Sequence, residues 1–147
     1  METTKSVKPQ LIRLRTQLVS QGHTRRLLAE TDLTTLRIHC YASGMGENAL
    51  HAHLNEDHVF IVLDGTALFG GLEGEIGKLA KHQAIVLPKC CFYQFSNCGK
   101  EPLVMARFGA SAEKADRRIA PDGTPIPGRT HEQGYVEPVL IENAYFE

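Results

Sequence analysis

Apolar positions along this chain come in short alternating runs broken by glycine, proline and Asn/Asp pairs, the pattern of strands and turns. Leu33 to Tyr41 alternates most regularly, with Leu36, Ile38 and Cys40 set among Thr34, Thr35, Arg37 and His39. Arg25 to Glu30 reads as a strand before it, across Thr31-Asp32, and Gln21-Gly22-His23 as a turn. Further upstream, Leu11, Ile12, Leu14, Leu18 and Val19 fit a short helix or an edge strand equally well. Val59 to Leu63 is continuously apolar, as expected of a strand covered on both faces. Asp64-Gly65 reads as a hairpin turn and Thr66 to Phe69 as its return strand. Gly70 to Gly77 is a second reversal. Ala84 to Leu87, Phe92 to Phe95 and Leu103 to Phe108 complete the strands, with Asn97-Cys98-Gly99-Lys100 as the last turn. Turns recurring roughly every 8 to 12 residues indicate an all-β antiparallel barrel or sandwich.

The pattern changes near residue 112. Four of the seven prolines lie between Pro121 and Pro138, yet Ile126, Tyr135, Val139, Leu140, Ile141, Tyr145 and Phe146 make the segment too apolar for a disordered tail. Three parts follow: a flexible polar leader over 1–8, a barrel over 9–112, and an extended tail over 113–147 packing on the barrel or on a partner subunit. At 147 residues the chain can bury one substantial core.

Charge and cysteines narrow the function classes. A formal net charge of -1 gives no basic surface for nucleic acid, and the pairs Arg25-Arg26 and Arg117-Arg118 read as solvated charge. No segment approaches the roughly 18 apolar residues of a membrane span. The leader lacks a hydrophobic signal core, so a cytoplasmic location is expected. Cys90 and Cys91 are adjacent and no Cys-x-x-Cys pair exists, which favours reduced thiols over a disulfide framework or a zinc ribbon.

The candidate chemistry sits in Leu50 to Gly65. His51 and His53, at i and i+2 of a strand, point to one face. His58, leading the next antiparallel strand, brings a third imidazole to the same point. Three converging neutral imidazoles suit a divalent transition metal. An acidic ligand from Glu56 or Asp57 is the alternative, although strand parity puts Asp57 on the opposite face. Glu47 shares the parity of His51 but reads more simply as a solvated turn carboxylate. His131, in the tail, is placed to fold back over a site.

In these elements the chain resembles a small single-domain cupin, a double-stranded β-helix, over about residues 33 to 109. The first cupin motif runs Gly, five residues, His-x-His, three or four residues, Glu, six residues, Gly. Here His51-x-His53 is followed after four residues by His58, in the Glu position, and after six more by Gly65. Gly44 and Gly46 flank the position of the leading glycine. The second motif runs Gly, five residues, Pro-x-Gly, two residues, His, three residues, Asn. His82 and Cys90 stand in its glycine positions, Pro88 and Asn97 are kept, and Tyr93 replaces the fourth ligand histidine.

The resemblance implies one metal ion at His51, His53 and His58, with Fe2+ or Zn2+ favoured and Mn2+ or Ni2+ as alternatives. Tyr93 would face it, as a ligand, a substrate partner or an acid/base, or would simply fill the space of the missing histidine. Phe60, Val62 and Phe95 share the parity of His58 and Tyr93, so they are expected to line an apolar pocket or to be ordinary core. Three protein ligands leave coordination positions open, a catalytic pattern. The implied function is an enzyme acting on a small polar or enolisable molecule, with dioxygenase-like chemistry leading. A metal-dependent lyase or isomerase and a non-catalytic small-molecule-binding cupin are the alternatives. A homodimer is expected to cover the apolar terminal segments.

Overall fold

The structure, a computed structural model, describes residues 7–111, 116–127 and 135–147. Most of the expected leader, part of the tail and His131 lie outside the described residues. Among the described residues twelve strands run in chain order: β1 Thr16–Gln21, β2 His23–Glu30, β3 Thr34–Tyr41, β4 Gly46–His53, β5 Asp57–Asp64 and β6 Ala67–Gly71. Then follow β7 Gly74–Leu79, β8 Ala84–Leu87, β9 Tyr93–Asn97, β10 Leu103–Ala110, β11 Arg118–Ile119 and β12 Val139–Phe146. No helix occurs among the described residues, and of the ambiguous N-terminal segment Leu18 and Val19 fall in strand β1 while Leu11, Ile12 and Leu14 lie in no strand.

Two five-stranded antiparallel sheets, in the orders β2-β3-β10-β5-β8 and β11-β4-β9-β6-β7, enclose the interior. Tyr41, Phe60, Val62, Phe69, Leu103 and Met105 are fully buried between them. β1 and β12 form a separate two-stranded ribbon against the outside of the first sheet. There Val19 packs with Ile38, Cys40 and Val104, and Phe146 joins them from the tail.

That outer ribbon decides which way β3 faces. Its apolar side, Ile38 and Cys40, turns outward to meet β1, while the alternate residues Arg37, His39 and Tyr41 face the barrel interior. The inner surface of the first sheet is therefore divided. Arg25, Arg37, His39 and Arg107 occupy the β2-β3-β10 side, and apolar Phe60, Val62 and Leu87 the β5-β8 side.

Two expectations about connectivity are corrected. Asp64-Gly65 is not a hairpin turn, because β5 and β6 lie in different sheets and Gly65 carries the chain across. Its φ is +87°, and a Cβ there would stand 2.8 Å from the Pro102 carbonyl oxygen, so both backbone and space require glycine. Likewise β5 does not pair with β4: His58 reaches the histidines from the facing sheet and not from an adjacent strand. Local turn chemistry marks a reversal without saying which sheet the next strand joins.

Candidate metal centre and its pocket

β4, β5 and β9 deliver the site. His51 lies opposite Tyr93 in the β4–β9 ladder, past an irregularity that follows the Glu47–Phe95 pair. His53 follows two residues on, and its ring centroid is 5.2 Å from that of His51. His58 arrives from the other sheet with its ring centroid 3.9 Å from that of His53. All three histidines and Tyr93 are at most 5% exposed.

Hydrogen bonds orient two of the imidazoles. An ionised carboxylate only accepts, so His53 Nδ1 donates to Asp116 Oδ2 at 2.6 Å. Burial, with the charge of nearby His58, pushes His53 down to about 4 against the raising effect of Asp116. The ring is therefore neutral at pH 7 and Nε2 keeps its lone pair. His58 Nε2 lies 2.8 Å from Glu56 Oε1, a contact that holds the Glu56 carboxyl below its ordinary range, and 2.9 Å from Arg107 Nη1, which can only donate. The Tyr93 hydroxyl sits 3.3 Å from both His53 Nε2 and His58 Nδ1.

The donor set fits a metal ion. Two imidazole nitrogens, His53 Nε2 and His58 Nδ1, converge on one phenol oxygen. Separations of 3.3 Å match neighbouring ligand atoms on an ion held at about 2.1 Å. His53, His58 and Asp116 also bring one ligand atom each within 4.8 Å of one another. The Asp116–His53 pair has the form of a carboxylate fixing the tautomer of a metal-binding histidine. His51 is beside this group and faces differently: its Nδ1 bonds the Ala49 carbonyl oxygen at 2.9 Å and its Nε2 is 3.3 Å from Glu47 Oε1.

Other expected residues fall as follows. Phe60, Val62 and Phe95 are packed in the core beneath the histidines, with the Phe60 ring centroid 6.4 Å from that of His58. Asp57 points outward and accepts from the Lys89 amide, 2.8 Å away. Glu47 is a correction: it is 6% exposed and accepts from the Tyr41 hydroxyl at 3.2 Å, with Arg25 3.6 Å away. The arginine pairs are corrected in part, since Arg26 and Arg117 are exposed as expected but three of the four arginines face a cavity. Arg25, Arg117 and Arg118 line a cavity of about 710 Å³ that opens beside His53, together with Arg37, His39, Glu56, Arg107 and Asp116. Pro125, Ile126, Pro127 and Tyr135 arch over it from the tail. β11 pins that arch to β4 by pairing Arg118 with His53 and Ile119 with Ala52.

Asp116, Arg107 and the buried state of Glu47 had no local signal. Each joins the histidines through tertiary contact alone. Cys90 and His82, in contrast, bear out the glycine register of the second motif, since both hold left-handed backbone at φ 72° and 73°.

No protein-family model and no curated protein matches the sequence. Solved structures do resemble the fold. A double-stranded β-helix protein from Klebsiella pneumoniae superposes with a TM-score of 0.58 at 18% identity, covering 65% of this chain and 82% of that one. A cupin superfamily protein from Desulfitobacterium hafniense gives 0.53 at 17% identity over 60% and 77% of the two chains. KdgF from a Halomonas species gives 0.55 at 17% identity over 76% and 89%. Two facing antiparallel sheets, the motif glycine conformations and these likenesses agree: the chain has the double-stranded β-helix fold of the cupins.

Proposed function

We propose that the chain is a mononuclear metal-dependent cupin enzyme acting on a small polar, enolisable molecule. The observation that carries this is the convergence of His53 Nε2 and His58 Nδ1 on the Tyr93 hydroxyl, directly behind His53, which lines a cavity sized for a small ligand. His53 and His58 would hold the ion, and His51 and Asp116 are the candidates to complete the set. When bound, the metal would supply a Lewis acid for a substrate oxygen. Tyr93 would hydrogen-bond that substrate or move a proton at its hydroxyl, while Asp116 holds the proton on His53 Nδ1. The apolar floor of Phe60 and Phe95 keeps water from beneath the site.

With His51 as third ligand and Fe2+, the set is the neutral one that favours dioxygenase-like chemistry. A lyase or isomerase using Zn2+, Mn2+ or Ni2+ is the second reading, favoured by the buried phenol at proton-transfer distance from two histidines.

Metal analysis of protein purified without added metal tests the core of the proposal. About one divalent ion per chain is expected in the wild type and a loss in His51→Ala/His53→Ala; equal content in both would sink the centre. Asp116→Asn, compared with His51→Ala alone, assigns the third ligand by which of the two loses more metal. Oxygen uptake by the iron-loaded protein with diketones, thiols and catechols then separates oxidation from proton transfer.

A further inference from the structure

Two arginines stand side by side inside the barrel. Arg37 on β3 and Arg107 on β10 are direct partners in the ladder, so their side chains leave the same face of the sheet, and both line the cavity. Like charges directly opposite on a sheet destabilise it. Burial, set against nearby Tyr93 and carboxylates, already holds the Arg107 guanidinium below its ordinary range, and the charge of Arg37 adds to that. Among the described residues neither arginine has a carboxylate within ion-pair distance. The Arg107 Nε is buried without a hydrogen-bond partner there, as is the Nε of Arg25.

Arg117 faces the same cavity from the arch. The lining sets five arginines, Arg25, Arg37, Arg107, Arg117 and Arg118, against Glu56 and Asp116, whereas the chain as a whole carries a formal charge of -1, so the positive excess is a local arrangement. Two half-buried cations side by side, neither in an ion pair among the described residues, are costly, and an anionic ligand offsets that cost. The planar guanidinium fork suits a carboxylate or phosphate in particular.

We infer that the cavity binds its small molecule through an oxyanion group, a carboxylate or a phosphate, gripped by Arg37 and Arg107 and closed over by Arg117. The inference deepens the proposed function by naming a substrate class, but the arginine grip stands or falls without the metal.

The test uses protein stripped of metal by a chelator and then dialysed. Malonate, inorganic phosphate and neutral malonamide are titrated calorimetrically. Binding of malonate, of phosphate or of both, with none of malonamide, is expected; malonate alone points to an acid and phosphate alone to a phosphate ester. Arg37→Gln should weaken that binding by about tenfold or more, the effect of one lost charge-assisted contact. Its ligand-free melting temperature should equal or exceed that of the wild type, because a like-charge pair is relieved. Arg117→Gln, outside the barrel core, gives a second weakened variant.

Malonamide binding as tightly as malonate, no binding of either anion, or undiminished binding in Arg37→Gln and Arg117→Gln overturns the inference. Equal metal in wild type and His51→Ala/His53→Ala overturns the metal reading alone and leaves the anion result untouched.

Discussion

His53 joins the tail, the metal-binding nitrogens and the pH response in a single ring. Its folded pKa of about 4 lies below the ordinary 6.5, so the unfolded chain binds the proton more readily than the native one. Stability contributed by the neutral ring is present above 6.5 and is lost as the pH falls towards 4. In metal-stripped protein the loss should reach about 3 kcal/mol. Urea unfolding at pH 7 and pH 4.5 measures it. A His53→Gln variant should flatten the dependence, and an unchanged slope would assign the acid sensitivity elsewhere. His53, His58 and Tyr93 were legible in the sequence because strand parity and motif spacing are local. Asp116 was not: it meets His53 from 63 positions away, through a hydrogen bond that no periodicity encodes.

At the scale of elements, the turns of the second motif keep a conformation whose residues have changed. His82 and Cys90 hold left-handed backbone although both carry a Cβ, a strain of about 1 kcal/mol each. Cys90→Gly and His82→Gly should each raise stability by about that amount, read as a higher melting temperature with the metal content unchanged. A lower one would mean that the side chains contribute more than the backbone strain costs. Cys90 also donates its amide to the His53 carbonyl at 2.7 Å, so the relieved turn still braces the histidine strand. The strands themselves were largely readable, including the Ala84–Leu87 and Leu103–Ala110 elements. Which face of β3 points inward was not. Alternation tells which residues share a side, but the covering ribbon of β1 and β12 decides that Ile38 and Cys40 face outward and Arg37 and His39 inward.

For the whole molecule, β12 closes the ribbon over the first sheet and leaves Val139, Leu140 and Tyr145 between 40% and 52% exposed. Among the described residues no strand pairs with its outer edge, and such an edge favours pairing with another copy. We therefore propose a homodimer through this ribbon. Sedimentation at micromolar concentration should give twice the mass of the 16.3 kDa chain, and a stable monomer would refute it. No helix among the described residues is long and apolar enough to cross a membrane.

The arch over the cavity has a consequence for how such a protein diversifies. Pro125, Ile126, Pro127 and Tyr135 help shape the mouth, yet none of them belongs to the packed interior. Insertions or exchanges in that stretch can alter which molecules are admitted while the interior goes on folding as before. Asp116 and Arg117, at the anchored end, are the part that must be kept for the proposed site to work. Selectivity and chemistry are thus inherited on separable pieces of one short polypeptide.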